Sequence, residues 1–218
     1  MSDELRDRLR GLRVFEGELP GFDTSAAPEE PVPLFLDWLG DAIERDVRAP
    51  HAMTLSTLDG YGRPDSRVLL LKGVAGDRLE FASSRESRKG RSLAQTPWAA
   101  LTFHWPEIAR QVRMRGRVAD AGREAAARDF RARPEDSRAE SFHGRQSQPL
   151  ADPAELDAAF EEGKERVAAD PELVPEHWAL YQLVPDEVEF WQGRADRRHV
   201  RLRYRHDGTR WAHGLLWP

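Results

Sequence analysis

Cysteine is absent from the 218 residues, so the chain can form no disulfide and can hold no metal through thiolate. That fits the cytoplasm. No apolar run approaches the ~20 residues that span a bilayer, and the opening MSDELRDRLRGLRVFEGELP lacks the apolar centre of a secretory signal. The expectation is a soluble, cytoplasmic protein with no membrane partner. An excess of positive charge is missing as well. Lys and Arg total 33 against 38 Asp and Glu, giving a net charge of −5, and the basic residues lie among acids. This argues against nucleic-acid binding, whose affinity comes from neutralising phosphates. The chain has no GxGxxG after a strand, no GxxxxGK[ST], no GxSxG and no HExxH, which removes the usual signals for dinucleotide folds, P-loops, hydrolase elbows and zinc proteases. Its histidines, His51, His104, His143, His177, His199, His206 and His213, show no ligand spacing with carboxylates, so no metal is expected.

What remains is a hydrophobic share of 39% with 33% charge, enough for one ordered domain. Residues 1–32 collect Pro, Gly and acids without sustained periodicity and are expected to form a flexible N-terminal segment; 33–218 are expected to form a single domain. In PLFLDWLGDAIERDV, Phe35, Trp38, Leu39, Ala42 and Ile43 share a helical stripe opened by prolines. From residue 51 the period shortens to that of strands: HAMTLSTL, SRVLLLKG, DRLEFASS, AALTFHW and RQVRMRGRV, separated by turn residues. Residues 122–143 and 152–168 read as helices, the second capped by Asp152-Pro153-Ala154-Glu155 with Leu156, Ala159 and Phe160 on one face. The tail returns to strands in WALYQLVP, EVEFWQG and HVRLRYR, with Asp207-Gly208 as a hairpin turn before TRWAHGLLW. This is an α+β chain, mainly β, reading as a barrel with peripheral helices.

Basic residues recur where an anion could sit. RVLLLK puts Arg67 and Lys72 at the ends of an apolar strand, on opposite faces if the strand is straight. SSRESRKGRSLAQ places Arg88 and Lys89 at a helix start, where unpaired N–H groups favour phosphate. RARPEDS offers Arg131, Arg133 and Ser137, and GRQSQPL offers Gln146 and Ser147. EFWQGRADRRHVRLRY gathers five arginines and one histidine around Trp191. Each segment alone also reads as an exposed strand or helix end. Together they describe an anion-holding, aromatic-walled pocket without an evident acid or base, which suits a cofactor that brings its own chemistry.

Seven motifs in order, RVLLLK (67–72), SRKGR (87–91), FHWPEIARQVRMRG (103–116), RPEDS (133–137), RQS (145–147), EFWQG (189–193) and R-x-H-x-R (197–201), resemble those of the pyridoxamine 5'-phosphate oxidase family. The resemblance runs from about residue 33 to the end. It implies an FMN-binding split β-barrel, a homodimer with FMN at the subunit interface, and flavin contacts from Arg67, Val68, Lys72, Ala82, Ser83, Arg88, Lys89, Gln111, Gln146, Ser147, Trp191 and Arg201. Arg88 and Lys89 would take the FMN phosphate. Lys72, Arg133 and Ser137 would take a substrate phosphate, with Arg197 and His199 over the substrate ring as the catalytic pair. The implied reaction oxidises pyridoxine or pyridoxamine 5'-phosphate to the pyridoxal form with O2, giving H2O2.

The chain also departs from that family. The family's phosphate cluster usually has tyrosine where this chain has Asp129, and its Arg-Leu-His-acid motif is here Arg197-Arg198-His199-Val200. A carboxylate beside a phosphate is repulsive. The run FEGELPGFDTSAAPEEPVPLF is closer to the flavin oxidase of phenazine biosynthesis. The alternatives are therefore an oxidase of a reduced aromatic metabolite, and a flavin- or B6-phosphate-binding protein without turnover.

Overall fold

The computed structural model describes residues 2–15 and 17–218. Its helices are α1 (Ser2–Arg10), α2 (Pro31–Glu44), α3 (Arg88–Gln95), α4 (Arg123–Arg131), α5 (Glu135–Ser141) and α6 (Pro153–Ala169). Its strands are β1 (Ala52–Leu58), β2 (Pro64–Leu70), β3 (Gly73–Ala75), β4 (Arg78–Ser84), β5 (Trp98–Trp105), β6 (Arg110–Asp120), β7 (Trp178–Gln192), β8 (Val200–His206) and β9 (Trp211–Leu215). They join one sheet in the order β2-β1-β5-β6-β7-β4-β3, with β8 between β7 and β9. The expected α+β class holds. The chain folds into two compact units, each built from segments distant in sequence.

The first unit comprises the chain up to Met53, Thr102–Met114 and Asp186–Pro218. Prolines open α2 as the sequence implies, since a missing N–H costs nothing in a first turn. Phe35, Trp38 and Ala42 are buried, but Ile43 is exposed; the stripe continues backward through Leu34 and Val32 instead. Trp38 meets Phe22 and Phe190 edge-on, and Phe190 meets Tyr204. One buried cation sits beside these rings. The Arg110 guanidinium lies 4.3 Å from the Trp38 ring centre and binds Asp41 at 2.6 Å and Gln192 Oε1 at 2.9 Å. Burial lowers its pKa while Asp41 opposes the shift, so a desolvated charge persists because it is paired. Gln192 also donates to the carbonyls of Ile108 and Ala109, fixing the turn between β5 and β6. The Asp207-Gly208 turn forms as expected, Gly208 taking φ +103°.

The second unit comprises Thr54–Leu101 and Arg115–Pro185. Asp152 caps α6 by accepting from the Ala154 N–H, as its sequence implies. The buried face of α6 is Ala159, Gly163 and Val167, so the apolar stripe is displaced from the one expected; Leu156 is 47% exposed. The expected single helix over 122–143 is two helices. Pro134 disfavours helical backbone at the residue before it, so α4 ends at Arg131 and α5 starts at Glu135, leaving Arg133 in the turn. The runs WALYQLVP and EVEFWQG form one strand, β7, continuous through Pro185. Its first half pairs with β4 (Ser84 opposite Trp178) and its second half with β8 (Trp191 opposite Arg201).

A Cβ on Gly163 would lie 2.2 Å from the Ala139 carbonyl oxygen, whereas one on Gly40 in α2 would meet nothing within 4 Å. Gly163→Ala is expected to destabilise by about 1–3 kcal/mol through overpacking. Gly40→Ala is expected to stabilise by up to about 1 kcal/mol through helix propensity. Thermal unfolding of the two variants should therefore shift in opposite directions; equal shifts would contradict the close approach of α5 and α6.

Candidate functional site

In the second unit, β2 turns Asp65, Arg67 and Leu69 to its half-buried side and leaves Val68 67% exposed. Arg67 donates to Thr57 Oγ1 at 2.9 Å, to the Leu55 carbonyl at 3.3 Å and to Asp65 at 2.5 Å. Asp65 also pairs with Arg88, the first residue of α3, at 3.2 Å. Ser87 caps that helix by accepting from the Gly90 N–H, and Gly90 is held so closely that a Cβ would lie 2.4 Å from the Arg85 carbonyl oxygen. The expected helix start is thus present, with its cations attached. Lys89 is buried and donates to Gln146 Oε1 at 2.9 Å, an oxygen that Ser83 Oγ also reaches at 3.4 Å. Burial first, and then the charge of Arg67, lowers the Lys89 pKa to about 8.

A cavity of about 150 Å³ brings Ala82, Ser83, Lys89, Gln146 and Arg133 together. It joins residues expected to serve the cofactor with one expected to serve the substrate. The Arg133 guanidinium stacks 4.2 Å from the Trp178 ring centre and donates to Ser141 Oγ at 2.6 Å. Ser141 in turn donates to the Ser137 carbonyl at 2.9 Å. Neither Lys72 nor Ser137 lines this cavity. The opposite-face reading of Arg67 and Lys72 does not apply, because β2 stops at Leu70 and the Lys72 N–H turns to the Glu80 carbonyl; its side chain is exposed. Ser147 is exposed with φ +71°. Trp178, Ser141 and His177 are lining residues that the sequence pattern did not single out. Trp178 had a visible signal, an indole at the start of a strand. His177 had none, since its bond to the Ser141 carbonyl spans 36 positions.

In the first unit, Trp191 on β7 faces Arg201 on β8, and Gln111 is half-buried on β6. Glu189 holds Arg201 Nε at 2.8 Å and Arg113 at 2.5 Å, while Arg201 Nη1 donates to the Trp217 carbonyl. Burial raises the Glu189 pKa, but hydrogen bonds from Arg201 and Arg113 outweigh it and leave a lowered value. His199 lies 5.0 Å from Trp191 and 5.2 Å from Phe15 between ring centres, and the Arg197 guanidinium is 5.4 Å from the Phe15 ring. The Arg194 backbone N–H donates to His199 Nδ1 at 3.1 Å. Since that nitrogen accepts, the neutral ring carries its proton on Nε2. Arg197 has φ +64°. The unusual Arg198 is exposed and pairs with Asp196 at 2.7 Å, within its own loop.

Among the described residues no group of three or more His, Cys, Asp or Glu could hold a metal, and no helix is long and apolar enough to cross a membrane.

Two family models match the chain: pyridoxamine 5'-phosphate oxidase over residues 39–167, and the pyridoxine 5'-phosphate oxidase C-terminal dimerisation region over 178–218. Similar curated proteins are the pyridoxine/pyridoxamine 5'-phosphate oxidases of Pseudomonas paraeruginosa, 42% identical with all of both chains covered, and of Legionella pneumophila, 39% identical over 96% of this chain and 97% of that one. Among solved structures, PhzG from Burkholderia lata in complex with tetrahydrophenazine-1-carboxylic acid aligns with a TM-score of 0.87 and 32% identity, covering 93% of this chain and all of that one. A pyridoxamine 5'-phosphate oxidase-related, FMN-binding protein from Nostoc punctiforme aligns with a TM-score of 0.71 at 21% identity, covering 88% and 100%. The expected split-barrel fold is shared with these structures.

The lowered Lys89 value has a consequence for stability. Between about pH 8 and its ordinary 10.5, the unfolded chain binds a proton that the folded chain does not, so this lysine's contribution to stability rises with pH in that window. Below pH 8 both states are protonated and the contribution is flat. In denaturant unfolding of cofactor-free protein, wild type should gain on Lys89→Met between pH 8 and 10; a constant difference would refute the burial of the charge.

Proposed function

The chain belongs to the pyridoxamine 5'-phosphate oxidase family of FMN-dependent oxidoreductases, and from that premise we propose that it oxidises pyridoxine and pyridoxamine 5'-phosphates to pyridoxal 5'-phosphate, with O2 as acceptor and H2O2 as product. The observation that carries this reading is Arg133. Its guanidinium is half-buried, stacked on Trp178 and anchored by Ser141, in the same cavity as Lys89 and Gln146. Burial lowers its pKa against opposing influences from Asp129 and Glu140, yet arginine remains charged. A desolvated fork of donors suits a substrate phosphate.

The donor set fits FMN. At the α3 start Arg67 and Arg88 share one carboxylate, Asp65, while Lys89 rests on the neutral amide oxygen of Gln146. Arg67 and Lys89 repel one another, and a phosphate dianion at this helix start would relieve that repulsion. When bound, FMN would supply a two-electron acceptor for the hydride on the substrate carbon that bears the alcohol or amine, with O2 as the final acceptor; from the amine, water then releases ammonia to leave the aldehyde. We assign its phosphate to Arg88 and Lys89, and further flavin contacts to Arg67, Val68, Lys72, Ala82, Ser83, Gln111, Gln146, Ser147, Trp191 and Arg201. Glu189 fixes the Arg201 guanidinium by binding Nε, and Trp217 fixes Nη1. Lys72, Arg133 and Ser137 serve the substrate phosphate. Arg197 presents a cation to the substrate ring, and His199 presents Nε2–H as a donor because Nδ1 is occupied by the Arg194 N–H. The match of residues 178–218 to a dimerisation region supports a homodimer with FMN at the subunit interface.

A second reading, oxidation of a reduced aromatic acid, is favoured by Asp129 beside the proposed phosphate site and by the tetrahydrophenazine-1-carboxylic acid bound in the B. lata relative. Anaerobic mixing of FMN-loaded protein with each B6 phosphate, followed at the flavin's visible band, decides between them. Rapid bleaching, with aldehyde product on readmitting air, is expected. Arg133→Ala should raise KM roughly 10–100-fold, as for loss of a hydrogen bond to a charged group. Flavin that dithionite reduces but neither B6 phosphate bleaches would reject the first reading in favour of the second.

A further inference from the structure

Asp129 looks misplaced beside an anion site, yet its carboxylate already has an occupation. On α4, one turn before Arg133, its Oδ2 accepts the indole N–H of Trp178 at 3.1 Å. Trp178 is 7% exposed, and a buried indole N–H without an acceptor carries a desolvation cost. The face of that indole is the surface on which the Arg133 guanidinium rests at 4.2 Å. Phe130 closes the indole from a second side, edge-on with ring centres 5.4 Å apart. Ser141 fixes the far end of the guanidinium. The three residues form a chain of support: carboxylate to indole N–H, indole face to guanidinium, guanidinium to ligand.

We propose that Asp129 is a positioning residue that orients Trp178 and, through it, presets Arg133 to receive the anionic group of the substrate. The proposal rests on the assignment of Arg133 to that anion. What position 129 must supply is a hydrogen-bond acceptor of aspartate's length, and the negative charge is incidental to the role. An arginine side chain that is already stacked and anchored loses less freedom on binding than a mobile one, so the benefit is read in affinity for the anion. Asparagine has the same length and offers a neutral acceptor. Alanine removes both the acceptor and the charge. If charge were the governing property, the two substitutions would act alike; if the acceptor governs, they separate.

The experiment measures calorimetric binding of inorganic phosphate, and then of pyridoxal 5'-phosphate, to the FMN-loaded holoenzyme, in which the cations at the α3 start are taken by cofactor. Asp129→Asn should leave the phosphate Kd within about twofold of wild type. Asp129→Ala should weaken it by about tenfold, and with a substrate that turns over the loss should fall on KM rather than kcat. Trp178→Phe keeps an aromatic face but has no N–H to offer. In that background Asp129→Ala should have no further effect on phosphate binding, a non-additivity that general loss of folding does not produce. Phosphate binding unchanged in Asp129→Ala would overturn the proposal, as would Asn and Ala variants that both tighten binding. Wild-type holoenzyme that binds no phosphate would overturn it too. Should the B6 phosphates fail to bleach the flavin while the Asp129–Trp178 coupling persists, the substrate assignment falls and the positioning role stands.

Discussion

Every peptide group in β7 needs a partner; β6 lies along one edge of the strand, and on the other edge the neighbour changes midway. Residues Trp178–Leu183 are matched to β4 and Glu187–Gln192 to β8, with Pro185 in the interval between the two ladders. A proline has no N–H to contribute to a ladder, so the changeover is a tolerable place for it. The two ends of β7 carry the aromatic residues that matter most. Trp178 supports Arg133 at the start, and Trp191 stands opposite Arg201 near the finish. Backbone pairing thus fixes each indole, within its own unit, on a regular element, where positions are held more narrowly than on a loop.

Charge is handled differently from one buried cation to the next. Arg110 has a carboxylate, an amide and an indole face, a set that satisfies it internally. Lys89 has one amide oxygen and a neighbouring arginine, and burial first, then that arginine, makes its amine easier to deprotonate. Arg133 has an indole face and one hydroxyl. The first arrangement is structural. The other two hold donors in a cavity, where an arriving anion would meet stronger contacts than bulk solvent allows.

Local features were legible in the amino-acid sequence. Strand periods, the prolines opening α2, the Asp152 cap and the α3 start with Arg88 and Lys89 all follow from interactions within a few residues. The motif segments also pointed to Arg133 and Trp191. Long-range packing decided the rest. Nothing near Asp129 reveals that it meets Trp178, 49 positions away, and nothing near Ile43 reveals that it stays exposed. The break before Pro134 was legible in principle from the proline itself. The continuity of β7 was not, because Pro185 argues locally for a strand end and only the change of partner strand accommodates it. Lys72 shows the same limit: alternation holds only while the strand lasts, and β2 ends two residues earlier.

Ser147 and Arg197 stand in the left-handed region of backbone space, at φ +71° and +64°. For residues with a Cβ, that conformation costs roughly 1–2 kcal/mol, and neither side chain is buried in compensation. Any selection for thermostability alone would therefore drift these two codons toward glycine. A homologue that keeps serine and arginine at both places retains a backbone cost that glycine would lower, as this chain also does at Asp46, Ala49 and Ala109.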